Sequence, residues 1–290
     1  METEMLHDKH GAIDYCEQGK GPTIVFVPGS WATRSAWCNV TEALESRFRI
    51  VTTSLPGYGG TRESRTAADC SIDRSSETVE AVIRRAGGPV HLVGHSYGAL
   101  VCLDLALCGL VPLMSLTLIE PVAFGLLRQA GEFSLHEQFA TTRDDYLRSF
   151  DAGEREAARQ IVDLLGGPRH FASLPRGLQE QIISKTPSHI FDLRSGFDPK
   201  MALLRNILLP TRIVRGERTS PTLHRCADIL SCAMANASLH TIGGAGHFMT
   251  ATHSTELAEH VTDQVIKTES LAWADLSFAS PFGIPCRNPT

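Results

Sequence analysis

Two glycines four residues apart, Gly94 and Gly98, bracket a serine between two apolar stretches. The run Val90–Val93 has the length and branching of a buried strand, and 99–110 carries so little charge that it reads as a helix buried on most sides. A strand that turns into a helix within five residues bends so tightly that side chains two positions either side of the apex collide. Glycine at both places removes the collision. The chain is thereby committed to a strand–turn–helix unit with Ser96 at its apex, lifted above the sheet over the first N–H groups of the next helix.

The same alternation recurs along the chain. Thr23–Val27, Arg49–Thr53, Ser115–Ile119, Thr211–Arg215 and Ser238–Ile242 read as further strands. Between them Trp37, Val40 and Leu44, then Val79, Val82 and Ile83, and finally Leu257, Val261 and Val265 fall at helical spacing. Alternating strands and helices predict an α/β fold with a mostly parallel central sheet covered by helices on both faces. The stretch 122–206 interrupts the pattern, with helical periodicity over 154–165 and 178–185 and no convincing strand, and is read as an inserted helical cap or lid. The expected organisation is a core of 1–121 and 207–268, a cap of 122–206 and a C-terminal tail of 269–290. The tail holds Trp273, Phe278 and Phe282 without periodicity, and is read as packed on the surface or docking on a partner. A length of 290 residues accommodates one such domain with an insertion.

Composition narrows the function by exclusion. A formal net charge of −5 and the lack of any basic block argue against nucleic acid or an anionic membrane as partner. The N-terminal residues are acidic with no apolar run behind them, and no apolar stretch is long enough to span a bilayer, so a soluble cytoplasmic protein, monomer or homodimer, is expected. The eight cysteines are scattered without a C-x-x-C pair and are expected to be mostly buried reduced thiols. The twelve histidines show no H-E-x-x-H spacing. No metal or cofactor is expected.

Gly94-x-Ser96-x-Gly98 directly after a strand and before a helix is the setting of a nucleophile elbow. A base for Ser96 has to reach it from a loop after the last strand, and Gly244-Ala245-Gly246-His247 follows Ser238–Ile242. With Val27-Pro28-Gly29-Ser30-Trp31 and Leu55-Pro56-Gly57-Tyr58-Gly59-Gly60, these motifs resemble the α/β-hydrolase superfamily, in its cap-bearing single-domain branch, over about residues 12–268. The resemblance implies the α/β-hydrolase fold, Ser96 as nucleophile, His247 as base and backbone N–H groups of Ser30 and Tyr97 as oxyanion hole. Pro28 stands where relatives commonly have histidine, and the Ser30 hydroxyl is a candidate third donor. His95 is read as structural, pointing away from the nucleophile.

Most relatives carry the acid in a Gly-Glu-x-Asp pattern after the strand Thr211–Arg215, but this chain reads Gly216-Glu217-Arg218-Thr219. A minority place it one strand earlier, where Glu120 ends Ser115–Ile119. Glu120 is taken as the acid, with Glu217 the alternative. The resemblance implies a small apolar ester or lactone as substrate, held by Trp31, Phe124 and Leu127, with Leu126, Phe139 and Phe150 as further cap residues. Two other readings stay open: a C–C bond hydrolase of diketone-type substrates on the same triad, and a ligand-binding receptor or scaffold with a decayed site, to which the missing acid at Thr219 would belong. Relatives that use an aspartate nucleophile are excluded by Ser96.

Overall fold

A computed structural model describes residues 2–278. Its strands are β1 (Glu2–Asp8), β2 (Gly11–Gln18), β3 (Thr23–Val27), β4 (Arg49–Thr53), β5 (Val90–His95), β6 (Leu113–Ile119), β7 (Thr211–Gly216) and β8 (Ala237–Ile242). They form one sheet in the order β1-β2-β4-β3-β5-β6-β7-β8. The pairings β1–β2 and β2–β4 are antiparallel, and every pairing from β4 across to β8 is parallel. Strand order reverses at β3, which has β4 on one side and β5 on the other. In an open parallel sheet the crevice beyond the carboxyl ends of the strands at such a reversal is where ligands bind.

The helices are α1 (Cys38–Glu42), α2 (Asp73–Ala86), α3 (Tyr97–Cys108), α4 (Gly125–Gln129), α5 (Phe133–Asp151), α6 (Arg159–Gly166), α7 (His170–Ser173), α8 (Arg176–Arg194), α9 (Met201–Leu204), α10 (Pro221–Ala233), α11 (Met249–Thr252) and α12 (Ser254–Phe278). The central strands are apolar on both faces because helices cover both. Along β3, Val25 and Val27 enter one core with α2 and α3, while Ile24 and Phe26 enter the other with α12, as the two-residue period of a strand requires. Between β6 and β7 the chain is helical, from α4 to α9.

Several boundaries differ from the sequence reading. The β1–β2 hairpin was not anticipated. β1 is an edge strand with little apolar alternation, and in β2 the four consecutive residues Ile13–Cys16 are all buried, so the period-2 signal is lost. Helix α8 runs from Arg176 to Arg194, straight through Pro187, well beyond the expected end at Lys185. Helix α6 starts at Arg159 rather than at Glu154, and α5 has no counterpart in the reading. Helix α12 continues to Phe278, so the first ten residues of the expected tail are helical; no glycine or proline stands between Ser254 and Pro281 to stop it. The reading of 279–290, and of the side chains of Trp273 and Phe278, lies outside the described residues.

The cysteines also depart from expectation. Of the seven described, Cys16, Cys102 and Cys226 are buried, whereas Cys38, Cys108 and Cys232 are exposed. Among the described residues no helix is long and apolar enough to cross a membrane.

Candidate active site

The loops after β3, β5, β6 and β8 meet at the carboxyl ends of the strands. Ser96 sits between β5 and α3 with φ 55°, a left-handed conformation that a serine adopts only under constraint. The constraint is close packing. A Cβ on Gly98 would stand 2.3 Å from the Pro28 carbonyl oxygen, and one on Gly94 would stand 2.5 Å from that of Gly98. Gly98 is therefore required for the turn to fit against the end of β3, and Gly94 for it to fit against the first turn of α3.

Ser96 Oγ lies 3.1 Å from His247 Nε2, and His247 Nδ1 lies 3.1 Å from Glu120 Oε2. An ionised carboxylate only accepts, so Nδ1 carries the proton and the Nε2 lone pair faces the serine hydroxyl. All three side chains are buried. Glu120 has φ 49°, a second left-handed residue, fixed by its N–H donating to the Val214 carbonyl at 2.8 Å. Its Oε1 accepts the Gly216 N–H at 2.6 Å, and its Oε2 accepts the Thr219 hydroxyl at 2.6 Å. Burial works against charge on Glu120. The hydrogen bond and charge of His247, with the Thr219 hydroxyl and the Gly216 amide, outweigh it and hold the carboxyl below its ordinary range.

Thr219 thus holds Glu120 through its hydroxyl, a contact that its sequence position alone did not suggest. Glu217 lies elsewhere: its exposed carboxylate accepts the Gly244 N–H at 2.7 Å, bracing the turn before His247. His95 lies against His247, its Nε2–H donating to the His247 carbonyl at 2.9 Å. Burial, reinforced by the charge of His247, lowers the His95 pKa to about 4, so the ring is neutral near pH 7.

The loop after β3 approaches Ser96 so closely that a Cβ on Gly29 would stand 2.9 Å from Ser96 Cβ. That brings the backbone of Ser30 beside Ser96. Tyr97 is the first residue of α3, and its N–H has no acceptor within the helix. The Ser30 hydroxyl is not a free third donor, because it donates to Asp192 Oδ2 at 2.5 Å. Sequence reasoning missed Asp192 altogether; it lies on α8 beyond Pro187.

A cavity of about 430 Å³ opens above Ser96 and His247. Its apolar lining includes Trp31, Leu100, Phe124, Phe139, Leu165 and Phe248, and Phe124 stacks on Phe139 with ring centres 3.9 Å apart. Leu127 is not in it. Together with Leu126 it is fully buried in the core beneath the helices, and Phe150 also packs against that core. A five-residue helix like α4 gave no means of telling its cavity side from its core side in sequence. Arg128, His136 and Arg143 add polar groups that the apolar expectation did not include. Among the described residues no group of three or more His, Cys, Asp or Glu is arranged to hold a metal ion.

A sequence model of the Alpha/beta hydrolase family matches residues 24–260. The chain is 28% identical over 246 residues to a pimeloyl-[acyl-carrier protein] methyl ester esterase of Methylococcus capsulatus, covering 83% of this chain and 93% of that protein. It is 24% identical to the protein of the same name from Nitrosomonas europaea, covering 79% and 90%. A thermophilic esterase from Thermogutta terrifontis shares the fold at TM-score 0.72 and 17% identity, covering 92% of this chain and 99% of the other.

Proposed function

The chain belongs to the alpha/beta hydrolase family and is an ester-hydrolysing enzyme, and on that premise we propose that it cleaves a carboxylic ester through an acyl-enzyme on Ser96, with His247 as base and Glu120 as the acid that orients it. The observation that carries the reading is the unbroken line from Ser96 Oγ through His247 to Glu120, with two contacts of 3.1 Å at the floor of a cavity.

His247 Nε2 takes the Ser96 proton as Oγ adds to the ester carbonyl. The carbonyl oxygen becomes an oxyanion, held by the N–H groups of Ser30 and Tyr97. Collapse of the tetrahedral intermediate breaks the bond to the alcohol oxygen, which leaves with the proton from His247. Water then adds to the acyl-enzyme with His247 again as base, and the acid is released as Ser96 recovers its proton. Glu120 keeps the imidazole in the Nδ1–H tautomer and stabilises the imidazolium throughout.

The helices α4 to α8 act as a cap that shields this chemistry from water, and Trp31, Phe124 and Phe139 hold an apolar acyl part. The two relatives named for methyl ester hydrolysis favour a small alcohol as leaving group over a lactone. Nothing in the site favours C–C cleavage, and the support of Glu120 by Thr219 weighs against a decayed site. The test is turnover of methyl and p-nitrophenyl esters of graded acyl length. Wild type is expected to turn over with a burst of alcohol, and Ser96→Ala to lose about 10⁴-fold or more in kcat. Wild type inert towards the whole panel would overturn the reading.

A further inference from the structure

Helix α8 grips the loop that carries one of the two oxyanion donors. We infer that Asp192 is a positioning residue for that loop, so that the Ser30 N–H is aimed at the developing oxyanion only while α8 is seated on the core. The inference rests on the proposed roles of Ser96 and the Ser30 amide.

Asp192 is the centre of a buried cluster. Its Oδ2 accepts the Ser30 hydroxyl at 2.5 Å and the Tyr58 hydroxyl at 2.6 Å, and its Oδ1 accepts Arg65 Nη1. The Arg65 side chain is fully buried. It fastens the cluster to the core by donating to the Pro56 carbonyl at 2.8 Å and to α8 by donating to the Ser188 carbonyl at 3.3 Å. Burial pushes the Asp192 carboxyl up, while Arg65 and the two hydroxyls pull against that rise. A buried ion pair is a poor way merely to hold a helix, since apolar residues of similar volume serve as well or better. A buried carboxylate does something packing cannot: it fixes the direction of each donor aimed at it.

The next residue of the loop is held by the same helix. Trp31 has φ 61°, unusual for a tryptophan, and such a conformation persists only where its surroundings enforce it. The His189 ring, one turn before Asp192, lies 3.8 Å from the Trp31 ring centre, and Gln181 Nε2 donates to the Trp31 carbonyl at 3.3 Å. Three residues of α8 thus act on two consecutive residues of the oxyanion loop. Displacing α8 would release the Ser30 hydroxyl and the Trp31 carbonyl together, so the cap and the oxyanion hole form one unit.

The test compares Asp192→Asn, Ser30→Ala, their combination and Ser30→Thr. It reads kcat, KM and the rate of Ser96 phosphonylation by a fluorophosphonate. Each of Asp192→Asn and Ser30→Ala is expected to lower kcat by about 10- to 100-fold with KM within about threefold, a milder form of losing an oxyanion donor. Phosphonylation should slow in step. The combination should be no worse than Asp192→Asn alone, because both changes cut the same contact. Ser30→Thr keeps the hydroxyl and should recover most of the loss. If Asp192→Asn does not fold, Ser30→Ala, which leaves the Arg65–Asp192 pair intact, decides alone. Unchanged kcat, a loss confined to KM, or losses that multiply in the combination would overturn the inference while wild type is still labelled. A wild type that is not labelled at Ser96 would overturn the proposed function, and this inference with it.

Discussion

Glu120 carries its charge in a place that disfavours charge, and three donors make that possible: His247 Nδ1–H, the Thr219 hydroxyl and the Gly216 amide. Removing the hydroxyl alone, in Thr219→Val, should lower kcat about 10- to 100-fold, the worth of one hydrogen bond to a charged group. Glu120→Gln with Thr219→Asp would move the carboxylate from the end of β6 to the loop after β7, beside the same site, and is expected to recover at least tenfold of the activity that Glu120→Gln alone loses. Steady-state kinetics on one ester check both, and a double variant no better than the single would contradict the account. The residues legible in sequence are those that local geometry dictates. Ser96 is announced by the two glycines its turn requires, His247 by the loop after β8, and Glu120 by its place at the end of β6. Asp192 was not legible, because its partner Ser30 is 162 positions away and nothing in the local pattern of α8 marks it.

At the scale of elements, the strands that build the site were readable because each is a short apolar run closed by glycine, proline or a charge. The cap was harder. The helical pattern reads only to Lys185, yet α8 passes on through Pro187 to Arg194, since one lost backbone hydrogen bond is tolerated where Gln181 before the proline and Ser188 and Asp192 after it are held by hydrogen bonds to the rest of the fold. The part beyond the proline is the part that carries His189 and Asp192. The contribution of these helices to binding is tested by Phe139, which lines the cavity from α5 against Phe124. Phe139→Ala should raise KM for long-chain esters by about tenfold or more, the range expected when an apolar pocket loses contact with its ligand, and leave kcat within about threefold. A fall in kcat with unchanged KM would assign Phe139 to the chemistry instead.

Across the whole molecule, the reversal of strand order at β3 brings the Ser30 loop and the Ser96 turn side by side, with Glu120 and His247 arriving from β6 and β8. Burying this many polar groups gives stability a definite pH dependence. Six histidines, His91, His95, His170, His189, His240 and His260, have pKa values lowered chiefly by burial, His95 to about 4 and His189 to about 3. A histidine with a depressed folded pKa binds its proton more readily once unfolded, so its contribution is complete above about 6.5 and is lost as pH falls towards the folded value. The melting temperature is expected to fall steadily from about pH 6.5 to 4.5, and a flat or rising profile in that window would contradict it. The most direct measurement of the central claim is the rate and site of fluorophosphonate labelling in wild type, Glu120→Gln and Glu217→Gln, followed by peptide mass. Rapid modification of Ser96 in wild type and Glu217→Gln, slowed by about 10² to 10⁴ in Glu120→Gln, is the expected result. Labelling of Glu120→Gln as fast as wild type, or slowing in Glu217→Gln instead, would contradict the triad.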